Sequence, residues 1–237
     1  MPIPKIIIQT NKSEDTDRRL RDTWLFHHRH YEYLFFDDHA CLDFIDTHFP
    51  GFSSIYRKLP LGAQKADLFR YLAIFHHGGI YADTDTWCLV PIEDYLDMDS
   101  NMLQACLEMT PQLYSAGIEN YTKEYHIPIQ YLQWTFAAPP KHPLLWKAAS
   151  IIKSNIEKFS SEQLKDYSEI LKFTLGLTGP FLFSQLVQHS LATEKLPTVT
   201  ILPQLTWGYN PWHQKEINPV NDTRVKILHL YGGSWKP

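Results

Sequence analysis

The chain has little cysteine: Cys41, Cys88 and Cys106 are the only ones in 237 residues, and none forms a C-x-x-C pair. An odd number at such separations argues against a disulfide framework or a zinc knuckle and fits a reducing compartment. Long apolar runs are missing too. Met1-Pro2-Ile3-Pro4-Lys5 leads straight into a short strand pattern, without the apolar stretch of a signal peptide or membrane span. The expectation is a cytoplasmic protein without its own anchor, with peripheral contact to the inner membrane face left open. Excess basic charge is also lacking, and a formal net charge of -4 gives no electrostatic reason to expect a nucleic-acid partner. No repeat, low-complexity tract or linker divides the chain, so its length favours one domain over residues 1–237.

What is present is an alternation of short apolar runs and helical periodicity. Residues 5–9 and 31–36 read as buried strands, with residues 13–30 between them as a helix, which is the opening of a βαβ unit. Residues 61–77 carry apolar side chains at helical spacing and stop at Gly78-Gly79, where glycine can cap the helix in a left-handed conformation. Ile80-Tyr81-Ala82 then reads as a strand that delivers Asp83. Further on, residues 144–159, 161–171 and 180–191 read as helices, and 199–202 and 225–230 as strands. The fold class expected is α/β, with a mostly parallel central sheet flanked by helices.

Asp83-Thr84-Asp85 follows the strand at 80–82. Residues two apart in an extended segment point to one side, so the two carboxylates can face one point, where they repel unless a cation lies between them. Hard divalent ions take oxygen ligands and leave positions for substrate phosphates. A solvated turn is the plain alternative. A calcium loop would need glycine at 88 and glutamate at 94, where Cys88 and Asp94 stand, and a phosphatase of the haloacid dehalogenase type would want threonine where Trp87 stands. Upstream, Asp67 and Arg70 lie three apart on one helix face: a surface salt bridge, or a carboxylate and a planar fork of donors for a hydroxylated ligand.

Three blocks are then read together: Ile3 to Thr10, Lys65-Ala66-Asp67-Leu68-Phe69-Arg70-Tyr71, and Gly78-Gly79-Ile80-Tyr81-Ala82-Asp83-Thr84-Asp85. They resemble the successive motifs of glycosyltransferase family 32, over residues 3–91. Later segments, Ala137 to Pro143, Thr178-Gly179-Pro180 and His229 to Trp235, look like further family blocks. The resemblance implies a GT-A (Rossmann-like) fold, a nucleotide-diphosphate sugar donor, a glycan or glycolipid acceptor, and a manganese or magnesium ion. It also implies hexosyl transfer with retention of configuration. By motif, Asp67 and Arg70 would hold the donor sugar, Asp83 would contact ribose or sugar, and Asp85 would ligate the metal with His229 and Ser234 near it. Trp235 would donate to a phosphate oxygen, and Ile8, Gln9, Thr10, Gln133 and Ser234 would lie along the donor. The sequence departs from the pattern at Ile8 and Asn11, where many relatives have histidine and tryptophan, and at Gln133, where asparagine is common. The alternative is a carbohydrate-binding protein on the same scaffold without turnover.

Other residues have plainer readings. The pairs His27-His28 and His76-His77 point in different directions on a helix and suit surface or helix-end positions. Asp37 or Asp38 would cap a helix as readily as meet a nucleotide. Trp207, Tyr209 and Trp212 would form either a sugar platform or a loop packed on the core.

Overall fold

A computed structural model of the chain describes residues 1–13, 18–159, 174–193 and 198–232. The helix expected at 161–171 and the site residues Ser234 and Trp235 lie outside the described residues. The chain opens as β1 (Ile6–Thr10), α1 (Arg18–His27) and β2 (Glu32–Phe36), and β1 and β2 pair in parallel. Among the described residues the crossover helix ends at His27, three residues before the expected end at 30. α2 (Asp38–His48) and α3 (Ser53–Lys58) follow, then the 16-residue α4 (Gly62–His77), which ends at Gly78. Gly78 and Gly79 have φ of 70° and 97°. At Gly79 a Cβ would also run into the Ile6 carbonyl oxygen, so glycine is required there twice over.

β3 (Gly79–Ala82) enters the sheet beside β1 in parallel, and β4 (Thr86–Cys88) leaves it. The remaining elements are β5 (Leu103–Met109), α5 (Ile118–Glu124), β6 (Gln130–Tyr131), β7 (Thr135–Ala138), α6 (Pro143–Lys158), α7 (Pro180–Thr193), β8 (Val199–Leu202), α8 (Gln204–Trp207) and β9 (Ile227–His229). The central sheet runs β2-β1-β3-β7-β5-β6, with β8 on β5. β1, β2, β3, β5 and β8 run one way and β6 and β7 the other, so the sheet is mixed and mostly parallel. β4 and β9 form a separate antiparallel pair, in which Thr86 lies opposite His229. That pairing joins residues more than 140 apart, and nothing in local patterning foretells it.

Apolar clusters cover both faces of the sheet. On one, α4 and α6 bury Leu68, Leu72, Leu145 and Ile152 against Ile8, Tyr81 and Phe136. On the other, Trp24 of α1 and Trp207 of α8 pack with Ile7, Ile80 and Cys88. At about 25 cal/mol per Å² of apolar surface removed from water, these faces are the main favourable term in folding. The Trp24 indole N–H also donates to Thr86 Oγ1 at 3.1 Å, which fixes β4 against α1. Among the described residues, no helix is long and apolar enough to cross a membrane.

Candidate active site

The carboxyl ends of β1, β2 and β3 open on one side of the sheet, where parallel α/β units bind ligands. A cleft of about 1000 Å³ lies there, with Asp67, Arg70, Asp83, Asp85, Gln133 and His229 in its walls. That volume reaches the upper end of the range for small-molecule sites. Thr10, Asn11, Lys12 and Asp38 line it at the ends of β1 and β2.

Asp67 and Arg70 form no surface salt bridge. They are 4% and 5% exposed, and Arg70 Nη2 lies 3.2 Å from Asp67 Oδ1 and 3.2 Å from Asp83 Oδ1. Buried charges survive only with partners in place, and here the partners are many. Asp67 Oδ1 also accepts from Gln133 Nε2 at 2.9 Å, and Asp67 Oδ2 from Thr178 Oγ1 at 2.7 Å. Arg70 Nη1 donates to the Gln133 carbonyl at 3.0 Å, and the guanidinium lies over the Tyr81 ring at 4.6 Å. Burial raises the Asp67 carboxyl, with Arg70 and the Thr178 hydrogen bond opposing it. The Arg70 guanidinium resists the same burial because Asp83, Tyr81 and Asp67 hold its charge.

The acidic tip is a turn, not the extended segment read from the sequence: β3 ends at Ala82, and residues 84 and 85 form the turn into β4. The chain must bend because β3 belongs to the central sheet and β4 to the small one. The bend is tied down by the Asp83 amide, which donates to the Trp134 carbonyl, by Thr86 Oγ1 donating to the Asp83 carbonyl, and by Asn11 Nδ2 donating to Thr84 Oγ1. Asp83 turns inward and accepts from the Tyr81 hydroxyl at 2.7 Å as well as from Arg70. Burial raises its carboxyl; Arg70 opposes and Asp85 reinforces the shift.

Asp85 faces the chain's last described residues. Its Oδ1 lies 3.1 Å from His229 Nε2, and its Oδ2 accepts the Gly232 amide at 2.9 Å. Burial pushes this carboxyl up, but His229 and Gly232 together bring it below its usual range. The β4–β9 register supplies His229, and the Leu230 amide donates to the Asp85 carbonyl. The His229 ring stacks on Trp134 at 4.6 Å and meets Tyr231 at 4.2 Å, which holds the imidazole in place. Its buried Nδ1 has no hydrogen-bond partner among the described residues. Ligand atoms of Asp83, Asp85 and His229 all lie within 4.8 Å of one another, the one such cluster among the described residues. Two carboxylates on the turn and an imidazole from β9 form a donor set that a divalent cation can use.

The remaining expected residues divide. Thr10 reaches the cleft, although its hydroxyl is held by the Phe36 carbonyl and Cys41. The Ile8 side chain is not among those lining the cleft: it is fully buried in the main core, packed with α4. Gln9 is fully buried behind the tip, donating to the Asp83 carbonyl and accepting from Tyr33, so it braces the turn from the rear. Gln133 lines the cleft, but both ends of its amide are engaged, by Asp67 and by the Tyr71 hydroxyl. Asp37 caps α2 by accepting from the Ala40 amide, and its neighbour Asp38 lines the cleft. His28 is structural, tied to the Trp24 carbonyl and the Ile92 amide. His76 and His77 end α4. Of the aromatic loop, Trp207 and Tyr209 pack inside, whereas Trp212 is 56% exposed and lines the cleft. Sequence reasoning missed Trp134, Thr178, Tyr231 and Glu108 as cleft or network residues. Thr178 and Tyr231 lay in blocks that could have signalled them, whereas Trp134 and Glu108 did not.

The family described as "Glycosyltransferase sugar-binding region containing DXD motif" matches residues 14–116. That span holds the Asp67/Arg70 pair and the Asp83/Asp85 tip. Over that span the chain is similar to the DXD-motif glycosyltransferases. It is 28% identical over 263 residues to the initiation-specific alpha-1,6-mannosyltransferase of Schizosaccharomyces pombe, covering 99% of this chain and 64% of that protein. It is 26% identical over 239 residues to inositol phosphoceramide mannosyltransferase 1 of the same yeast, covering 98% of this chain and 62% of that one. The chain therefore spans less than two thirds of the length of these relatives. Among solved structures, the PaToxG glycosyltransferase superposes with a TM-score of 0.56 at 16% identity, over 79% of this chain and 70% of that one, a likeness of GT-A fold.

Proposed function

We propose that the protein transfers a hexosyl group from a nucleotide-diphosphate sugar to a glycan or glycolipid acceptor, with retention of configuration. The observation that carries this is the meeting, on one cleft wall, of a three-ligand cluster (Asp83, Asp85, His229) and a buried Asp67–Arg70 pair. Asp85 and His229 would hold the divalent ion, which supplies positive charge to the diphosphate as the sugar bond breaks. Asp83, oriented by Arg70 and Tyr81, presents its carboxylate to the ribose or sugar hydroxyls. Arg70 and Asp67 would receive the donor hexose, because they are already pre-organised by Gln133 and Thr178 and need no reordering on binding. Thr10, Asn11, Lys12 and Asp38 would line the nucleotide. Ser234 and Trp235, outside the described residues, would have only the roles the motif implies, near the metal and as donor to a phosphate oxygen. Two relatives carry mannosyltransferase names, so mannose is the hexose to test first.

The test is manganese-dependent release of nucleoside diphosphate from GDP-mannose and from UDP-hexoses, by wild type and Asp85→Ala. Release by the wild type alone supports the reading. Equal release by both proteins at saturating donor and metal would sink it, and tight donor binding without release would point to a carbohydrate-binding protein instead.

A further inference from the structure

The cleft continues past the donor residues into a second part that the roles above do not use. Its walls are Glu108 on β5, Tyr125 after α5, and Trp212 and Tyr231 in the closing loops. Tyr231 stands between the two parts. Its ring touches His229 at 4.2 Å on one side and Trp212 at 4.9 Å on the other, and it has a positive φ of 51°. A bulky residue held in that region is rare and needs surrounding structure to hold it. The Tyr231 hydroxyl reaches back to the Tyr209 carbonyl at 3.4 Å, which fixes the ring as a partition.

Beyond the partition the surface has two unlike parts. Trp212 presents an indole that is 56% exposed, on a turn secured by its amide donating to Asn210 Oδ1 at 3.0 Å. A large exposed aromatic with a fixed backbone, facing a cleft and not the core, matches what sugar rings stack upon. Opposite in character is Glu108, 8% exposed yet part of the cleft wall, with Gln130 Nε2 donating to its Oε2 at 2.5 Å. A carboxyl buried in a β-strand with one amide partner carries a desolvation cost that a hydroxylated ligand would relieve by hydrogen bonding. Glu124 also lines this part, held by the Tyr114 hydroxyl. Among the described residues, this part of the wall has two carboxyl side chains and neither lysine nor arginine.

We infer that Trp212 and Glu108 form the acceptor subsite, taking a neutral sugar whose apolar face stacks on the indole and whose hydroxyl is held by the carboxyl, and disfavouring a phosphorylated one. The inference rests on the transferase reading above, because only a group-transfer enzyme needs a second sugar beside its donor. The acid in the wall and the absence of a described cation set the charge preference.

The experiment measures binding, not turnover, so that it stands apart from the transferase test. Methyl glycosides of mannose, glucose and galactose, and mannose 6-phosphate, are titrated by saturation-transfer NMR into wild type, Trp212→Ala and Glu108→Gln. GDP-mannose affinity in the presence of Mn²⁺ is measured alongside. The expected result is that at least one neutral glycoside binds the wild type through one ring face and binds about tenfold more weakly to each variant. Mannose 6-phosphate is weaker than mannoside throughout, and donor affinity stays within about twofold across the three proteins. Trp212 is exposed and Glu108→Gln keeps the shape, so retained donor binding also certifies the fold. Unchanged glycoside affinity in both variants, no glycoside binding to a wild type that binds donor, or tighter binding of the phosphorylated sugar would each overturn the subsite. A wild type that binds glycoside through these residues but no sugar nucleotide would instead overturn the transferase reading.

Discussion

Two clusters of acid and base lie side by side in this cleft, and they are built on opposite principles. Around Asp67 and Arg70 the groups are nearly sealed from water, and Asp67 holds three partners drawn from α4, the segment before β7 and the turn before α7. Around Asp85 and His229 the side chains are more open, at 33% and 12% exposure, and one imidazole nitrogen has no described partner. The first cluster therefore couples to the stability of the whole domain. The second is poised on a turn, where a ligand can complete it without disturbing the core. Substitutions in the first should read out mainly in stability, and in the second mainly in function.

The sharpest way to break that contrast is Asp67→Ala. Leaving Arg70 buried with one partner fewer should cost about 3–5 kcal/mol. At about 2–4 °C per kcal/mol for a chain of this size, calorimetry should show a Tm lower by roughly 6–20 °C. A drop of only a degree or two would mean that the pair is not the sealed unit described. Asp85→Ala should do the reverse. Manganese-dependent turnover should fall by about 10²–10³-fold, the usual effect of losing one charge-stabilising group, while Tm moves little. Loss of Tm comparable to that of Asp67→Ala would erase the distinction.

Gln133→Leu refines the comparison from between the clusters. Its amide links Asp67 to Tyr71, so an apolar replacement takes one partner from each of these buried groups and should cost about 1–3 kcal/mol, visible in urea denaturation. Gln133→Asn, one methylene shorter, tests whether the longer amide is needed to span that gap. The smallest effect lies away from the cleft, at the end of α4. Burial holds the His76 imidazole down to about 4, helped by His77, His48 and Lys141. The folded state thus takes up its proton later than the unfolded chain does. The stability involved is present above about pH 6.5 and is lost as pH falls towards 4. His76→Gln should flatten the Tm-versus-pH curve across that window, and an unaltered curve would show that His76 does not report on it.

Much of the first 90 residues was legible because their structure is local. Alternating apolar runs located β1 and β2, helical spacing located α4, and Gly78-Gly79 marked its end. Asp67, Arg70, Asp83 and Asp85 could be named because each lies within a continuous block. Ile8 was misread for a related reason: a block shows which residues travel together, not which face of a buried strand each one occupies. The histidine pairs and Asp37 followed their plain readings, since helix-end and capping roles depend only on neighbours in the chain.

By itself, then, the sequence determined the α/β class, the crossover at the amino terminus, the α4 helix and the presence of the two acids after β3, all of which follow from periodicity and residue chemistry over short stretches of the chain. Tertiary structure alone decided that the tip is a turn, that β4 and β9 pair to bring His229 to Asp85, and that Gln133 and Thr178 enclose Asp67. It also decided that Tyr231 divides the cleft, with Glu108 and Trp212 beyond it. Each of these joins residues tens to more than a hundred positions apart, and such contacts are chosen by the packing of two sheets and the need to satisfy buried polar groups, neither of which leaves a periodic trace in the chain.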